Sequence, residues 1–145
     1  MNREIKFRGK RMNDNKWVYG NLHYNAAECV TQIVEFIEHG PTMSDPCGDQ
    51  YNTFHNVDHK TIGQFTGLKD KDDKDIYEGD LLNACDDHFA HPKDVIAVKY
   101  SGSAFVVYNP SCCKVCKEGG GCICNLDEMG VCIVIGNIFD NPELI

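Results

Sequence analysis

Hydrophobic and polar residues alternate at the start of the chain, which is the pattern of a half-buried β-strand. In residues 3–8, Ile5 and Phe7 fall on one face and charged residues on the other. After a polar turn, residues 17–22 resume as a second strand rich in aromatic and branched side chains. The two segments predict a β-hairpin, and we expect Trp17 to be buried in the core beneath it because an indole covers so much area.

Residues 29–37 are compatible with two kinds of element. The apolar positions 29, 30, 33, 34, 36 and 37 would line one face of a helix, whereas the Val and Ile content is typical of a strand. We favour a strand because the neighbouring segments are strands, and Gly40-Pro41 ends it. Residues 42–52 are polar and predict a loop.

The central stretch, residues 61–82, organises the rest of the chain. An apolar run is followed by a block of seven charged residues, 69–75, and then by a second apolar run that begins after Glu78-Gly79-Asp80. This pattern predicts two strands joined by a solvated turn. Glycines at 63, 67 and 79 stand where a sheet would bend or change direction.

Three further strands are predicted at residues 95–100, 104–108 and 131–138, the first two joined by a short link. Short strands at close spacing, without a long helical pattern, predict a mainly β fold that forms a small barrel or roll.

Composition limits the class of protein. The chain has 145 residues, 42% of them hydrophobic and 25% charged, which suits one soluble domain or two small ones sharing a core. Its apolar runs are far shorter than the roughly 20 residues that a membrane span needs. The first residues lack the apolar core of a signal peptide, so we expect a cytoplasmic protein. A net charge of −8 disfavours nucleic acid as the partner, because binding to phosphates draws on Lys and Arg.

Three segments of the chain resemble the YopX protein family, small proteins encoded by bacteriophages and prophages. The first segment is REIKFRGK followed by KWVYG, at residues 3–10 and 16–20, and the last is IGNIFDNPEL at residues 135–144. Between them lies the central motif, GQFTGLKDK with IYEGD. Its positions are Gly63, Gln64, Phe65, Thr66, Gly67, Leu68, Asp70, Ile76, Tyr77, Glu78, Gly79 and Asp80.

The resemblance implies a mainly β fold with an N-terminal hairpin or meander region, residues 1–60. An SH3-like β-barrel or roll follows at 61–145, with a loop rich in cysteine and glycine at 109–127. The E-G-D sequence is similar to the entry into the first barrel strand of SH3-like domains. No enzymatic activity is established for the family, so the resemblance indicates the origin and the fold of the protein more than its biochemical activity.

The sequence offers no catalytic set. His55 and His59 would share a face only on a helix, and this segment reads as strand and turn. None of the serines has a nucleophile-elbow context, and the glycines at 119–121 lack the partners of a phosphate loop. We therefore expect a non-enzymatic phage accessory protein that binds a host or phage protein. A nucleic-acid-binding module and an acidic inhibitor of a host DNA-directed defence enzyme are the alternatives, and barrel edges make self-association a further expectation.

Two other patterns have competing interpretations. The aspartates of the charged turn invite a calcium site, but the EF-hand spacing fails and interleaved lysines favour a solvated turn. Five aromatic residues could form a stacking platform for single-stranded nucleic acid, although the acidic surroundings favour packing in the core. They are Phe65, Tyr77, Phe105, Tyr108 and Phe139.

Four of the nine cysteines form the sharpest chemical signal. Cys113 and Cys116 have the C-x-x-C spacing that supplies two zinc ligands, whereas Cys122 and Cys124 are one residue apart and make a poorer second pair. Free thiols in a loop are the favoured interpretation, and a structural zinc site is the alternative. A redox role is disfavoured because the βαβ setting is missing.

If these four thiolates hold zinc, the reduced protein purified from zinc-containing medium will carry one equivalent of the metal. Titration with a zinc indicator measures this. Protein without stoichiometric metal under these conditions would eliminate the zinc site and leave the free thiols.

Overall fold

A computed structural model describes residues 4–38, 50–84, 95–109, 122–126 and 132–145. The described chain consists of β-strands and turns with two short 3-10 helices, His59–Thr61 and Pro142–Leu144. It divides into two compact units, Met1–Gln64 and Phe65–Ile145. No helix among the described residues is long and apolar enough to cross a membrane.

The first unit is an antiparallel sheet with the strand order β4-β3-β2-β1-β5. Its strands are β1 (Phe7–Lys10), β2 (Trp17–Asn25), β3 (Val30–Glu38), β4 (Gln50–Asn56) and the start of β5 (Gly63–Lys69). The hairpin of β1 and β2 is therefore confirmed. The segment that suited helix or strand is the strand β3, because its branched residues pack well on a pleated surface.

A small apolar core holds this unit together. Ile33 is fully buried and packs with Val18 and Val57, and Phe7 and Ile62 cover the cluster. These residues come from segments far apart in the chain, and the pairing of the strands brings them together.

Gly20 lies where β2 changes partners. It pairs with Phe7 of β1, whereas the next residue, Asn21, pairs with Val34 of β3. A side chain at position 20 would overlap the carbonyl oxygen of Val34. Only glycine allows the backbones of β2 and β3 to approach this closely.

Trp17 is not the core residue that its size predicts. It lies opposite Lys10 in the ladder, one position from the buried Val18, and therefore on the other face of the sheet. Its ring is half-buried because cations cover it: the Arg8 guanidinium carbon is 4.8 Å and the Lys10 Nζ 5.4 Å from the ring centroid. The indole area is thus covered by cation–π contacts instead of by the apolar cluster.

The second unit contains an antiparallel five-stranded sheet with the order β10-β9-β8-β7-β11. The later residues of β5 pair with β6. The strands are β6 (Asp75–Tyr77), β7 (Asp80–Ala84), β8 (Val95–Ser101), β9 (Ala104–Asn109), β10 (Cys122–Asn125) and β11 (Cys132–Asn137). The core comprises Ile76, Leu82, Ile96, Val98, Phe105, Val107, Leu126, Cys132 and Val134.

The prediction of a mainly β protein is confirmed, but the barrel does not close in the described residues. There β10 pairs only with β9 and β11 only with β7, so the five-stranded sheet keeps two edges. The strand β10 also lies inside the predicted loop at 109–127. The predicted domain boundary between residues 60 and 61 stays a prediction.

Candidate functional site

The central motif lies along β5, the turn after it, β6 and the entry to β7. Most of its side chains are buried, including Phe65, Thr66, Ile76 and Tyr77, whereas Leu68 is exposed. The rings of Phe65 and Tyr77 pack with centroids 5.5 Å apart. The expectation that these two rings pack in the core is confirmed, so they do not form a stacking platform for nucleic acid.

Asp70 is the motif residue with the most demanding environment. It is only 8% exposed, and its carboxylate accepts three backbone hydrogen bonds. Oδ1 accepts from the N–H groups of Asp72 and Lys74, both at 2.9 Å, and Oδ2 accepts from that of Val134 at 3.0 Å. The carboxylate thus orders its own turn and joins it to β11.

Hydrogen bonding decides the ionisation of this group. Burial alone raises the pKa of Asp70, but the N–H groups of Val134, Lys74 and Asp72, together with the charge of Lys74, outweigh burial. The pKa of Asp70 therefore lies below its ordinary value of 3.8. The interpretation of the whole block as a solvated turn is wrong for Asp70, although Asp72 and Asp73 are exposed.

The E-G-D sequence forms a tight turn between β6 and β7. Asp80 is 1% exposed, and its Oδ2 accepts from the N–H of Tyr77 at 2.8 Å. Gly79 donates its N–H to the carbonyl of Val98 and accepts from the N–H of Ile138, both at 2.9 Å. One turn thereby binds β8 and the segment that follows β11.

The closing segment, residues 135–144, is also held by polar side chains. Asn137 Oδ1 accepts from the N–H groups of Phe139 at 3.0 Å and Asp140 at 2.9 Å. Asn141 Oδ1 accepts from the N–H of Asn137 at 3.3 Å. The motif residues described in this unit therefore make hydrogen bonds that hold turns and join strands, so they stabilise the fold.

The proposed zinc ligands cannot be assembled from the described residues. Cys113 and Cys116 lie outside them, and the backbones of Cys122 and Cys124 are part of β10, opposite Asn109 and Val107. No group of three metal-binding side chains occurs in the described part of the chain. The zinc site stays a prediction.

A groove with a volume of about 630 Å³ opens in the first unit, and no pattern in the sequence predicted it. Its lining includes Gln32, Phe54 and Asn56. Gln32 pairs with Asn56, and Phe54 pairs with the residue two positions after Gln32, so all three lie on one face of β3 and β4. We call this feature the first-unit groove.

An amide pair lies at the base of the first-unit groove. Gln32 is 8% exposed, and its Nε2 donates to Asn56 Oδ1 at 2.8 Å. Within the described residues this is the only side-chain hydrogen bond of Gln32. Its carbonyl oxygen and the Nδ2 group of Asn56 remain to serve a ligand.

The charges of the groove are largely paired internally. Arg11 donates from Nε and Nη2 to the carboxylate of Asp14 at 2.9 and 2.5 Å. Desolvation raises the pKa of Asp14, but the N–H of Lys16 and the Arg11 charge outweigh it and hold that pKa below its usual value. His55 Nε2 lies 3.1 Å from Glu35 Oε2. The carboxylate of Glu28, which is exposed, has no ion pair among the described residues.

Apolar side chains on the same sheet are unusually exposed. Phe36 is 59%, Phe54 54% and Tyr24 61% exposed, although they belong to regular strands. Phe36 and Phe54 lie on the face that carries Gln32, and the ring of His23 contacts Phe54 edge-on at 5.7 Å. Tyr24 follows His23 in β2 and therefore lies on the opposite face. We call Phe36 and Phe54 the exposed aromatic residues of the first unit.

Replacement of Asp70 by alanine will destabilise the protein by roughly 2 to 4 kcal/mol, because the buried N–H of Val134 and two part-buried N–H groups of the turn lose a charged acceptor. Urea unfolding followed by circular dichroism measures this. Asp72→Ala, an exposed change in the same turn, is the control and should have little effect.

The same carboxylate should give the protein an acid-sensitive component of stability. Since the folded pKa is lowered, the contribution is present above the ordinary value of 3.8 and is lost as the pH falls through the folded pKa. Asp70→Asn should therefore flatten the dependence of stability on pH below about pH 4. An unchanged slope would show that other carboxylates cause it.

Gly79→Ala should destabilise the protein more than Gly102→Ala. Both glycines have positive φ, +84° and +66°, which cost a non-glycine residue about 1–2 kcal/mol. A Cβ at 79 would lie 3.2 Å from the Phe139 ring, whereas no atom of the described residues is within 4 Å of a Cβ at 102. Equal losses in urea unfolding would mean that the ring moves aside without cost.

Comparison with known proteins gives one family and a similar solved structure. No curated protein matches the chain. The crystal structure of protein EF1440 from Enterococcus faecalis is similar, with a TM-score of 0.56 and 21% sequence identity over 97% of both chains. That likeness supports the fold alone. The family model of the YopX protein matches residues 6–145, and the chain therefore belongs to the YopX family.

Proposed function

We propose that this chain is a non-enzymatic accessory protein of a phage or prophage that binds a protein partner in the bacterial cytoplasm. The observation that carries the proposal is the set of exposed aromatic residues of the first unit. Each exposes more than half of its side-chain surface on a regular strand. Aromatic side chains are enriched at protein interfaces, where their large rings bury much area at low entropic cost.

The placement of these rings supports recognition of a protein. Phe36 and Phe54 lie on the same face, on adjacent strands, and the first-unit groove borders Phe54. An apolar surface beside polar groups that retain hydrogen-bonding capacity has the composition of an interface core and its rim. Membership in the family supports the fold and, through the resemblance, the phage origin.

The ionisable groups support a role without catalysis. Asp70 and Asp80, both buried, accept hydrogen bonds from backbone N–H groups and so have structural tasks. His55 and Glu35 contact each other in the first unit, but among the described residues no hydroxyl or thiol is hydrogen-bonded to this histidine. A nucleophile with its base is the arrangement that covalent catalysis requires.

One feature favours a second candidate, binding of nucleic acid. Arg8, Lys10 and Trp17 bring two cations and an aromatic ring together on one face of β1 and β2, and Tyr19 beside them is 48% exposed. Cations with stacking rings are typical of single-strand binders. Arg8 is itself buried and the net charge is −8, so we rank this function second.

Site-specific photocrosslinking tests the proposal. A benzophenone amino acid replaces Phe36, which is 59% exposed on the face that carries Phe54, in the full chain expressed in the bacterium that carries the gene. Irradiation should give one discrete protein adduct, identified by mass spectrometry, because this ring would be covered by the partner. Tyr100 in the second unit is 52% exposed and is the matched control position.

The adducts separate the candidate functions. A specific bacterial or phage protein at position 36 but not at position 100 supports the proposal, and a second copy of the chain would identify self-association. An adduct with nucleic acid would favour the second candidate. A folded protein that gives only background at position 36 contradicts the proposed interface.

A further inference from the structure

The first-unit groove contains a buried amide with unused hydrogen-bonding capacity. Gln32 is more than nine-tenths buried, yet within the described residues its side chain makes a single hydrogen bond, to Asn56. Burial of an amide costs free energy that a satisfied hydrogen bond recovers. A ligand that offers a donor to Gln32 Oε1 and an acceptor to Asn56 Nδ2 would complete the pair.

An extended peptide supplies these groups in its backbone. Each peptide unit has one N–H donor and one carbonyl acceptor, whereas an apolar ligand offers neither. Phe54 adjoins the amide pair and is 54% exposed, so an apolar side chain of the peptide can be covered at the same time. Peptide recognition commonly combines main-chain hydrogen bonds with contacts to individual side chains.

The charges select the kind of peptide. A phosphate ligand needs an available cation, but the Arg11 guanidinium is held by the Asp14 carboxylate. The His55 side chain lies on the opposite face of β4 from Phe54, where it contacts Glu35. The charge in the lining that has no partner among the described residues is the Glu28 carboxylate. It attracts a basic side chain and repels phosphate, and the net charge of −8 acts in the same sense.

We propose that the first-unit groove binds an extended, basic peptide segment of the protein partner. A peptide backbone amide is hydrogen-bonded to Gln32 and Asn56, an apolar side chain lies on Phe54, and a Lys or Arg lies near Glu28. This inference rests on the proposed function and names the site and the chemistry of the partner.

The full chain can be tested with a displayed library of random dodecapeptides. We expect enriched peptides that contain an apolar residue and a Lys or Arg. Synthetic peptides from the selection are then titrated by fluorescence anisotropy. Gln32→Met and Phe54→Ala should each weaken binding by roughly tenfold, the equivalent of about 1.4 kcal/mol and the scale of one buried hydrogen bond or apolar contact.

An aromatic residue outside the first unit controls for general loss of apolar surface. Tyr100 is 52% exposed and is not part of the groove lining, so Tyr100→Ala should change the affinity less than twofold. If Gln32→Met lowers the melting temperature, Asn56→Ala, which alters an exposed residue, tests the amide pair instead.

A charge exchange tests the basic residue directly. Glu28→Lys should weaken a selected peptide, and replacing the Lys of that peptide by Glu should restore binding to this variant but not to the wild-type chain. If Glu28 only stabilised the conformation of its turn, the charge-reversed peptide would not restore binding to Glu28→Lys. Affinities must be compared at one salt concentration, because a rim charge is screened.

Several outcomes would overturn the inference. They are a selection without enrichment, selected peptides that bind Gln32→Met and Phe54→Ala as well as the wild type, and a mixed-sequence single-stranded DNA 12-mer that binds and loses affinity in these variants. A protein adduct at position 36 that persists in Phe54→Ala and Gln32→Met would also overturn it, while leaving the proposed function intact. Absence of that adduct from a chain that still binds the selected peptides would instead contradict the proposed interface around Phe36.

Discussion

The second unit depends on one carboxylate, that of Asp70, which connects a turn to a strand 64 residues away in the sequence. A side chain with two oxygens can receive several N–H groups at once, and ionisation strengthens each bond. The next residue reinforces the junction, since Lys71 donates its backbone N–H to the carbonyl of Cys132. The turn and β11 are therefore fixed by polar contacts beside an apolar core that includes Val134.

The sequence revealed the local features of the fold but not this connection. Alternation predicted the first hairpin, and the charged block predicted the turn after β5. Within that block Asp70 looks like Asp72 and Asp73, because residue type and spacing are the same for buried and exposed positions. Only the packing of β11 against the turn separates them. The same limit explains Trp17, whose ladder position, not its size, decides which face of the sheet it occupies.

The family motif identifies a fold because its residues carry the geometry of the fold. Gly79 accepts the positive φ of a tight turn and binds two other segments through its backbone, and Asp80 caps that turn. Because these groups already make hydrogen bonds within the fold, they have few donors or acceptors left to bind a ligand. Recognition is more reasonably sought outside the motif, where polar groups retain capacity and aromatic rings stay exposed. In the first unit these conditions meet at Gln32, Phe54 and Asn56.

The first-unit groove could not be read from the sequence, since it depends on the register of β3 and β4. Gln32 and Asn56 are 24 positions apart and meet only because the two strands pair in one register. A slip by one residue would turn one of the amides to the opposite face. Its polar character also follows from pairing: Arg11 would make the groove basic if Asp14 did not hold it. A neutral amide base with an acidic rim is therefore a product of the fold, and this combination is the reason for proposing a peptide instead of a phosphate as the ligand.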